Sequence, residues 1–485
     1  MRKYIQFILY VITLSVISQA CTKALEENPK SKINGKQFFT SVASYQQAVE
    51  GIYSSIPGLF AGRPMMMREM FSDIYGTPSS SYEQALPVYQ NNHQDFFYCV
   101  RDEWSNDYTI IKNANYALDN INVATLLSED QKRALSAEAK FLRAFAYFQL
   151  VQFYGAVPLP LKVADNYDSL QLPRSAETEV YASIVSDLKY GESYLPDKAV
   201  TEGRVYKLVA TALLSKVYLT MAGNPLNQTK YYKDARDKAI EVINSNRFTL
   251  VADYKNVFHN KGYTTESIWE QLFLPRPQGG NGLQGISSTY PGFNPILLPA
   301  KWFIKSFDLG DQRKEWGISQ NYITQDKKTL APFFRKFVDT TFIDLGYNPS
   351  QAGQLDYSIP ILRLAEMYLI AAEAENELNG PANAYQYINQ VRKRARVDKN
   401  NPADVPDLAG LTKAQFRDSV LMERKHELYM EGSAWFDLKR TNTLKRINTF
   451  TESTLSHPVG DYNNTWYIPD IEIAGNQIEQ NPSYE

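Results

Sequence analysis

Residues 135–154 read Leu135-Ser136-Ala137-Glu138-Ala139-Lys140-Phe141-Leu142-Arg143-Ala144-Phe145-Ala146-Tyr147-Phe148-Gln149-Leu150-Val151-Gln152-Phe153-Tyr154. Phe141, Leu142, Ala144, Phe145, Phe148, Leu150, Val151 and Phe153 leave almost no polar side to this helix. A helix that is apolar all round is buried by neighbours on several faces. Two other stretches follow the same plan. Residues 206–221 form an apolar helix that stops at Gly223 and leads into Tyr232-Lys233-Asp234-Ala235-Arg236-Asp237-Lys238-Ala239-Ile240. Residues 362–378 stop near Gly380 and lead into Ala384-Tyr385-Gln386-Tyr387-Ile388. Each unit is an apolar helix, a Gly-containing stop and a second helix with Ala where helices approach closely. Helix 135–154 is expected to pair in the same way with 177–195.

That is the logic of tetratricopeptide-like helix pairs, spaced less regularly than a clean period of about 34 residues. One pair cannot bury its own apolar face, so several must stack. Length alone, 485 residues, suggests about three domains at roughly 150 residues each, but a stacked core grows continuously and overrides that prior. The expected fold is mostly α, with tetratricopeptide-like pairs in a right-handed superhelical scaffold and a few short strands. The scaffold is placed at about 38–56, 104–155, 176–250 and 358–445. Loop-rich segments at about 57–103, 251–357 and 446–485 are left to build a ligand face. Loops this long in a compact protein are functional or disordered, and their aromatics favour function.

Before the scaffold comes an address. Met1-Arg2-Lys3 is a positive head, residues 5–17 are apolar, and Ser18-Gln19-Ala20 precedes Cys21. The apolar run is shorter than the roughly 20 residues of a membrane span and fits a signal peptide over 1–20. A Cys directly after the cut is the lipobox arrangement of bacterial lipoproteins, from which Gln19 departs. Cys21 is thus the expected lipidation site and 21–485 the mature single domain. Cys99, the other of the two cysteines, is then expected to be a buried structural thiol.

Composition excludes several classes of function. The 51 Lys+Arg against 53 Asp+Glu give a net charge of −2, without the concentrated basic patch that nucleic acid requires. His93, His259, His426 and His457 are scattered, and His426-Glu427 has no second His four residues on, so the zinc-protease helix is absent. Gly280-Asn281-Gly282-Leu283-Gln284-Gly285 matches a dinucleotide fingerprint in letters only, because no strand precedes it. Two acidic side chains at roughly 5 to 10 Å would suffice for glycoside hydrolysis, yet no pair stands out. No catalytic residue, metal site or cofactor is expected. Tyrosine is abundant, at 33 residues. Its apolar face and polar tip suit sugar rings, although most single tyrosines simply pack helices against loops.

Four further stretches carry a resemblance. They are Ala137 to Phe148 running on to Tyr154-Gly155-Ala156-Val157-Pro158-Leu159; Leu362-Arg363-Leu364-Ala365-Glu366-Met367-Tyr368-Leu369-Ile370-Ala371-Ala372-Glu373-Ala374; Glu423-Arg424-Lys425-His426-Glu427-Leu428 through Glu431-Gly432 to Trp435-Phe436-Asp437-Leu438-Lys439-Arg440; and Ile468-Pro469 with Glu472, closing on Gln480-Asn481-Pro482-Ser483-Tyr484. In this order, behind a lipobox, the chain resembles the SusD/RagB family of Bacteroidetes surface lipoproteins. The resemblance implies a tetratricopeptide-like face that packs on a TonB-dependent outer-membrane barrel of the SusC type, and an opposite, loop-built face for a nutrient. That nutrient is a polysaccharide or oligosaccharide, with a peptide as the alternative and glycoside hydrolysis as a remoter one. Ligand-contacting residues differ between members, so none is carried over.

The motifs themselves read as scaffold: Arg143, Glu366, Glu423, Arg424 and Arg440 sit among apolar residues, where charges persist only when paired. Ligand candidates come instead from the loops, where stacking needs aromatic faces and orientation needs a few polar groups. They are Asp73, Tyr75, Tyr82 and Tyr89 in the first loop region and Tyr290, Phe293 and Asn294 in the second. Trp104, near the start of a helix, reads as core, Trp269 as part of a short strand and Trp435 as scaffold.

Overall fold

The computed structural model describes residues 38–69, 71–76, 93–164, 166, 171–273, 280–289, 295, 297–344, 355–450, 459–476 and 478–484. Cys21 lies outside these residues. The chain divides into two compact units, Met1–Gln47 and Ala48–Glu485. In the described part of the first unit Phe39 meets Phe38 edge-on at 5.1 Å and Tyr45 at 4.7 Å. Helix α1 (Val42–Tyr53) begins there and ends in the second unit.

The second unit is built largely from helices: α2 (Arg63–Glu69), α3 (His93–Asn122), α4 (Glu129–Tyr154), α5 (Glu177–Tyr194), α6 (Lys207–Ala222), α7 (Tyr231–Asn244), α8 (Lys301–Ser306), α9 (Leu364–Asn379), α10 (Tyr385–Ala395), α11 (Lys413–Leu428) and α12 (Ala434–Arg440). From α3 to α7 each helix packs on the next. α7 then packs on α9, far ahead in sequence, and α9 packs on α10 and α11. This is the mostly helical, pairwise-stacked fold read from the sequence, and α5 is the expected partner of α4.

Local chemistry sets the ends. α4 starts six residues before its apolar run because Ser128 and Gln131 cap each other: Gln131 N–H donates to Ser128 Oγ at 3.3 Å, and Ser128 N–H donates to Gln131 Oε1 at 2.9 Å. It stops at Gly155, whose φ of 71° disfavours a side chain. Where α5 crosses α6, Gly191 keeps the approach close; a methyl there would touch Ala210 at 3.4 Å. The second motif does not begin as helix, since Leu362 and Arg363 belong to a strand and α9 starts at Leu364.

Among the described residues three antiparallel strand pairs form. β1 (Tyr75–Gly76) pairs with β3 (Leu298–Pro299), β2 (Ser267–Gln271) with β6 (Ile359–Arg363), and β4 (Ile318–Ser319) with β5 (Phe333–Phe334). Trp269 of β2 places its ring edge-on to Phe141 at 5.4 Å and Phe145 at 5.0 Å, seating the β2–β6 pair on α4. Trp269 and Trp435 are buried, as read, and Trp104 is buried too, although α3 starts eleven residues before it. Cys99, on α3, is half-buried rather than buried. Residues 57–100 hold more helix than expected. Short helix Pro57–Phe60, α2 and the start of α3 all fall there, because tertiary contacts fix turns too short for a periodic signal.

Gly223 ends α6 against the end of α12. An added Cβ would stand 2.3 Å from the Arg440 carbonyl oxygen, which also accepts from Asn224 N–H at 2.7 Å. Gly223→Ala is therefore expected to destabilise the protein by about 1–3 kcal/mol, read as a lowered urea midpoint. An unchanged or raised midpoint would contradict this packing.

Candidate functional site: a loop-bearing layer fixed by buried charge

Residues 251–357 are one of the segments where functional loops were expected, and buried ions hold described residues of that segment to the helices. Arg313, fully buried, reaches Asp311 Oδ2 at 2.6 Å, Glu423 Oε1 at 2.5 Å and Glu427 Oε2 at 3.1 Å. Glu423 Oε2 also binds Arg392 at 2.7 Å, and Arg392 binds Asp308 at 2.8 Å. Glu427 Oε1 takes Arg363 at 2.6 Å and Arg394 as well. Both guanidinium groups then meet Glu266 at 2.8 Å. Arg363 and Lys336 converge on Glu431 at 2.6 Å each. One connected network thus joins 308–313, 336, the turn before β2, β6, α10, α11 and the turn after α11.

Its protonation follows from its geometry. Burial raises the Glu427 carboxyl, but Arg394, Arg363 and Arg313 outweigh burial and hold it well below the usual carboxylate range. Burial depresses Lys336 to about 8, partly offset by Glu431. These acidic groups are therefore occupied by the protein's own cations. The five motif charges behave as read. Arg143 meets Asp187 at 2.8 Å; Arg424 meets Asp437 at 2.7 Å and Glu366 at 3.3 Å; Arg440 meets Asp437 at 2.8 Å and also Glu373. The sequence reading missed Arg313, Lys336 and Glu266. Only Arg363, a charge closing the apolar run Ile359-Pro360-Ile361-Leu362, carried a visible signal.

Asp73 and Tyr75 were expected as exposed ligand contacts, and the structure puts both inside. Asp73 is 5% exposed, with Oδ2 2.5 Å from Lys425 Nζ, while its carbonyl accepts from Trp302 Nε1–H at 2.8 Å. Tyr75 is 7% exposed; its hydroxyl donates to Glu69 and accepts from Met430 N–H at 3.0 Å. Glu69 also accepts from Gly432 N–H, and burial pushes its carboxyl up to about 7. Burial, with the ring packed edge-on to Phe334 at 5.4 Å, leaves Tyr75 no open face for stacking. Asp73 does line a small pocket of about 60 Å³ with Trp302, Met422, Lys425 and Thr443. Tyr82, Tyr89, Tyr290, Phe293 and Asn294 lie outside the described residues.

What the structure does describe is where their segments attach. Gly76, the last described residue before 77–92, pairs with Leu298, just beyond 290–296. Asn281, just after 274–279, donates its N–H to the Leu355 carbonyl at 2.9 Å, and Leu355 follows 345–354. The Asn281 side chain, fully buried, donates to the Tyr357 carbonyl at 2.9 Å, and the Asn281 backbone carbonyl accepts from Gly62 N–H at 2.7 Å. The attachment points therefore meet in pairs on a frame with few degrees of freedom. Among the described residues no three His, Cys, Asp or Glu side chains converge as a metal site. His426 is buried beside Phe307, and burial holds its pKa down to about 3.

A helical-repeat scaffold carrying a charge-locked loop layer defines a class of loop-presenting proteins. Comparison with known proteins narrows it. Residues 189–473 match the SusD family, and 23–219 match a family described as starch-binding associating with outer membrane. The chain belongs to the SusD family. SusD-like protein P25 of Formosa agariphila is 29% identical, over 91% of this chain and 90% of that protein. Starch-binding protein SusD of Bacteroides thetaiotaomicron is 25% identical over 77% of each. A SusD superfamily protein from Parabacteroides distasonis superposes with a TM-score of 0.76 at 25% identity, over 93% of this chain and all of that one.

Removing Arg313 alone leaves Asp311, Glu423 and Glu427 short of countercharge. Arg313→Met should cost about 3–5 kcal/mol in equilibrium denaturation. A loss below about 1 kcal/mol would show that the network does not hold the layer.

Proposed function

We propose that this protein is a non-catalytic capture lipoprotein. Anchored to the outer membrane through acylated Cys21 and exposed at the cell surface, it binds a polysaccharide or oligosaccharide. It then passes the ligand to a TonB-dependent transporter of the SusC type. The observation that carries the reading is the match of residues 23–219 to the family described as starch-binding associating with outer membrane. The similarity to starch-binding protein SusD over 77% of both chains points the same way. The attachment frame adds a physical reason, since segments 77–92 and 290–296, with Tyr82, Tyr89, Tyr290, Phe293 and Asn294, leave from paired β1 and β3. Two aromatic segments rooted side by side suit a ligand that offers successive apolar sugar faces. Each contact is weak, and a polymer strengthens them through effective concentration.

The test is calorimetric titration of the full chain, in detergent, against a panel of polysaccharides and peptides, with chromatography of the ligand after long incubation. Saturable binding of one glycan class without cleavage is expected, and Tyr290→Ala should weaken it about tenfold, the ordinary cost of removing an aromatic anchor. Cleavage products would replace capture by hydrolysis. Binding confined to peptides would keep the scaffold and change the ligand.

A further inference from the structure

Helix α3 carries Glu103 and Asp107 one turn apart, and both are buried, at 1% and 0% exposure. Like charges four residues apart on a helix repel one another, and inside the protein each also loses its hydration. Among the described residues, the charged group that faces them from the elements packed on α3 is Arg68 of α2. Tyr154 of α4 and Tyr108 of α3 itself also face Asp107, and burial pushes both phenols well up, so they stay neutral. The short helix Pro57–Phe60 brings no titratable side chain.

Arg68 answers one of the two carboxyls. Its Nη2 donates to Glu103 Oε1, and its Nη1 donates to Glu103 Oε2 at 3.3 Å, the Leu59 carbonyl at 2.6 Å and the Pro64 carbonyl at 3.1 Å. The rings of Phe60 and Phe153 flank the guanidinium at 5.4 and 5.3 Å. Both Asp107 oxygens are buried without a hydrogen-bond partner, and Arg68 Nε has no acceptor either, so the guanidinium does not reach Asp107. An ionised carboxylate left unpaired in such a place costs far more than the neutral acid. Burial pushes both groups up. Arg68 offsets it for Glu103, which stands at about 7, whereas the charge of Glu103 adds to it for Asp107.

We propose that the native protein keeps one proton on the Glu103–Asp107 pair, and that its loss as pH rises loosens the seat of α2 on α3. α2 links the scaffold to a loop root: Arg68 ties it to α3, and Glu69 accepts from the Tyr75 hydroxyl of β1. The pair is thus an alkaline-sensitive joint behind the strand from which segment 77–92 leaves. The sign follows from linkage. The unfolded chain releases this proton at about pH 4 and the native protein holds it to about 7, so the pair's contribution to stability falls as pH rises between those values.

The test is equilibrium urea denaturation of the full chain in detergent, for the wild type and for Asp107→Asn, whose amide keeps the shape of the neutral acid. Groups outside the pair cancel in the ratio of the two unfolding constants. That ratio, wild type over variant, should grow about tenfold per pH unit between pH 5 and 7, the effect of one proton, leaving the variant the more stable at pH 7. A ratio that is constant or falls over this range marks Asp107 as a merely structural group and overturns the proposal. If Asp107→Asn does not accumulate folded, Asp107→Leu, of similar bulk and without polar atoms to bury, takes its place under the same criterion.

Discussion

Five cationic side chains, Arg313, Lys336, Arg363, Arg392 and Arg394, meet on Asp308, Asp311, Glu266, Glu423, Glu427 and Glu431, and the seating of 308–313, Lys336 and β6 on the helices depends on that meeting. Buried pairs of this kind are poor sources of net stability, because desolvation consumes most of the Coulombic gain. They supply geometry. A guanidinium is a planar fork with fixed donor directions, so Arg363 can satisfy Glu266, Glu427 and Glu431 together only when the turn before β2, β6 and the end of α11 stand in one arrangement. Any slip strands a charge in a dry interior, which is far costlier than the network is favourable.

This constraint separates two tasks. The helices bury their apolar sides against one another and could accept many loop sequences. The charge network and the β1–β3 pairing fix where loops leave the scaffold without specifying what the loops contain. Asn281 works in the same way without charge, tying the attachment points after 274–279 and 345–354 through two carbonyls. Such a division allows ligand specificity to change in the loops while the roots keep their positions.

Much of the scaffold was legible in the sequence because its signals are local. The apolar runs behind α4, α6 and α9, the stops at Gly155, Gly223 and Gly380, and the lone charges Arg143, Glu423 and Arg440 each announce burial within a few residues. The network was not legible, because Arg313 and Glu427 stand 114 residues apart and nothing near Arg313 marks its partner. Asp73 and Tyr75 were misread for the same reason. Their neighbourhood of Ser, Pro and Gln looks like a solvated loop, but Lys425 and Met430, more than 350 residues on, draw them inside.

Buried charge welds the loop-bearing layer to the helices into one cooperative unit. Native-state hydrogen exchange tests it most directly, because cooperative units open together. Under conditions that favour opening over intrinsic exchange, amides in 311–319 and 359–363 should exchange with the same opening free energy as those in 420–428, and that value should equal the free energy of global unfolding. Faster, independent exchange of 311–319 while 420–428 stays protected would show that the layer is merely laid on the scaffold, and the account would fail.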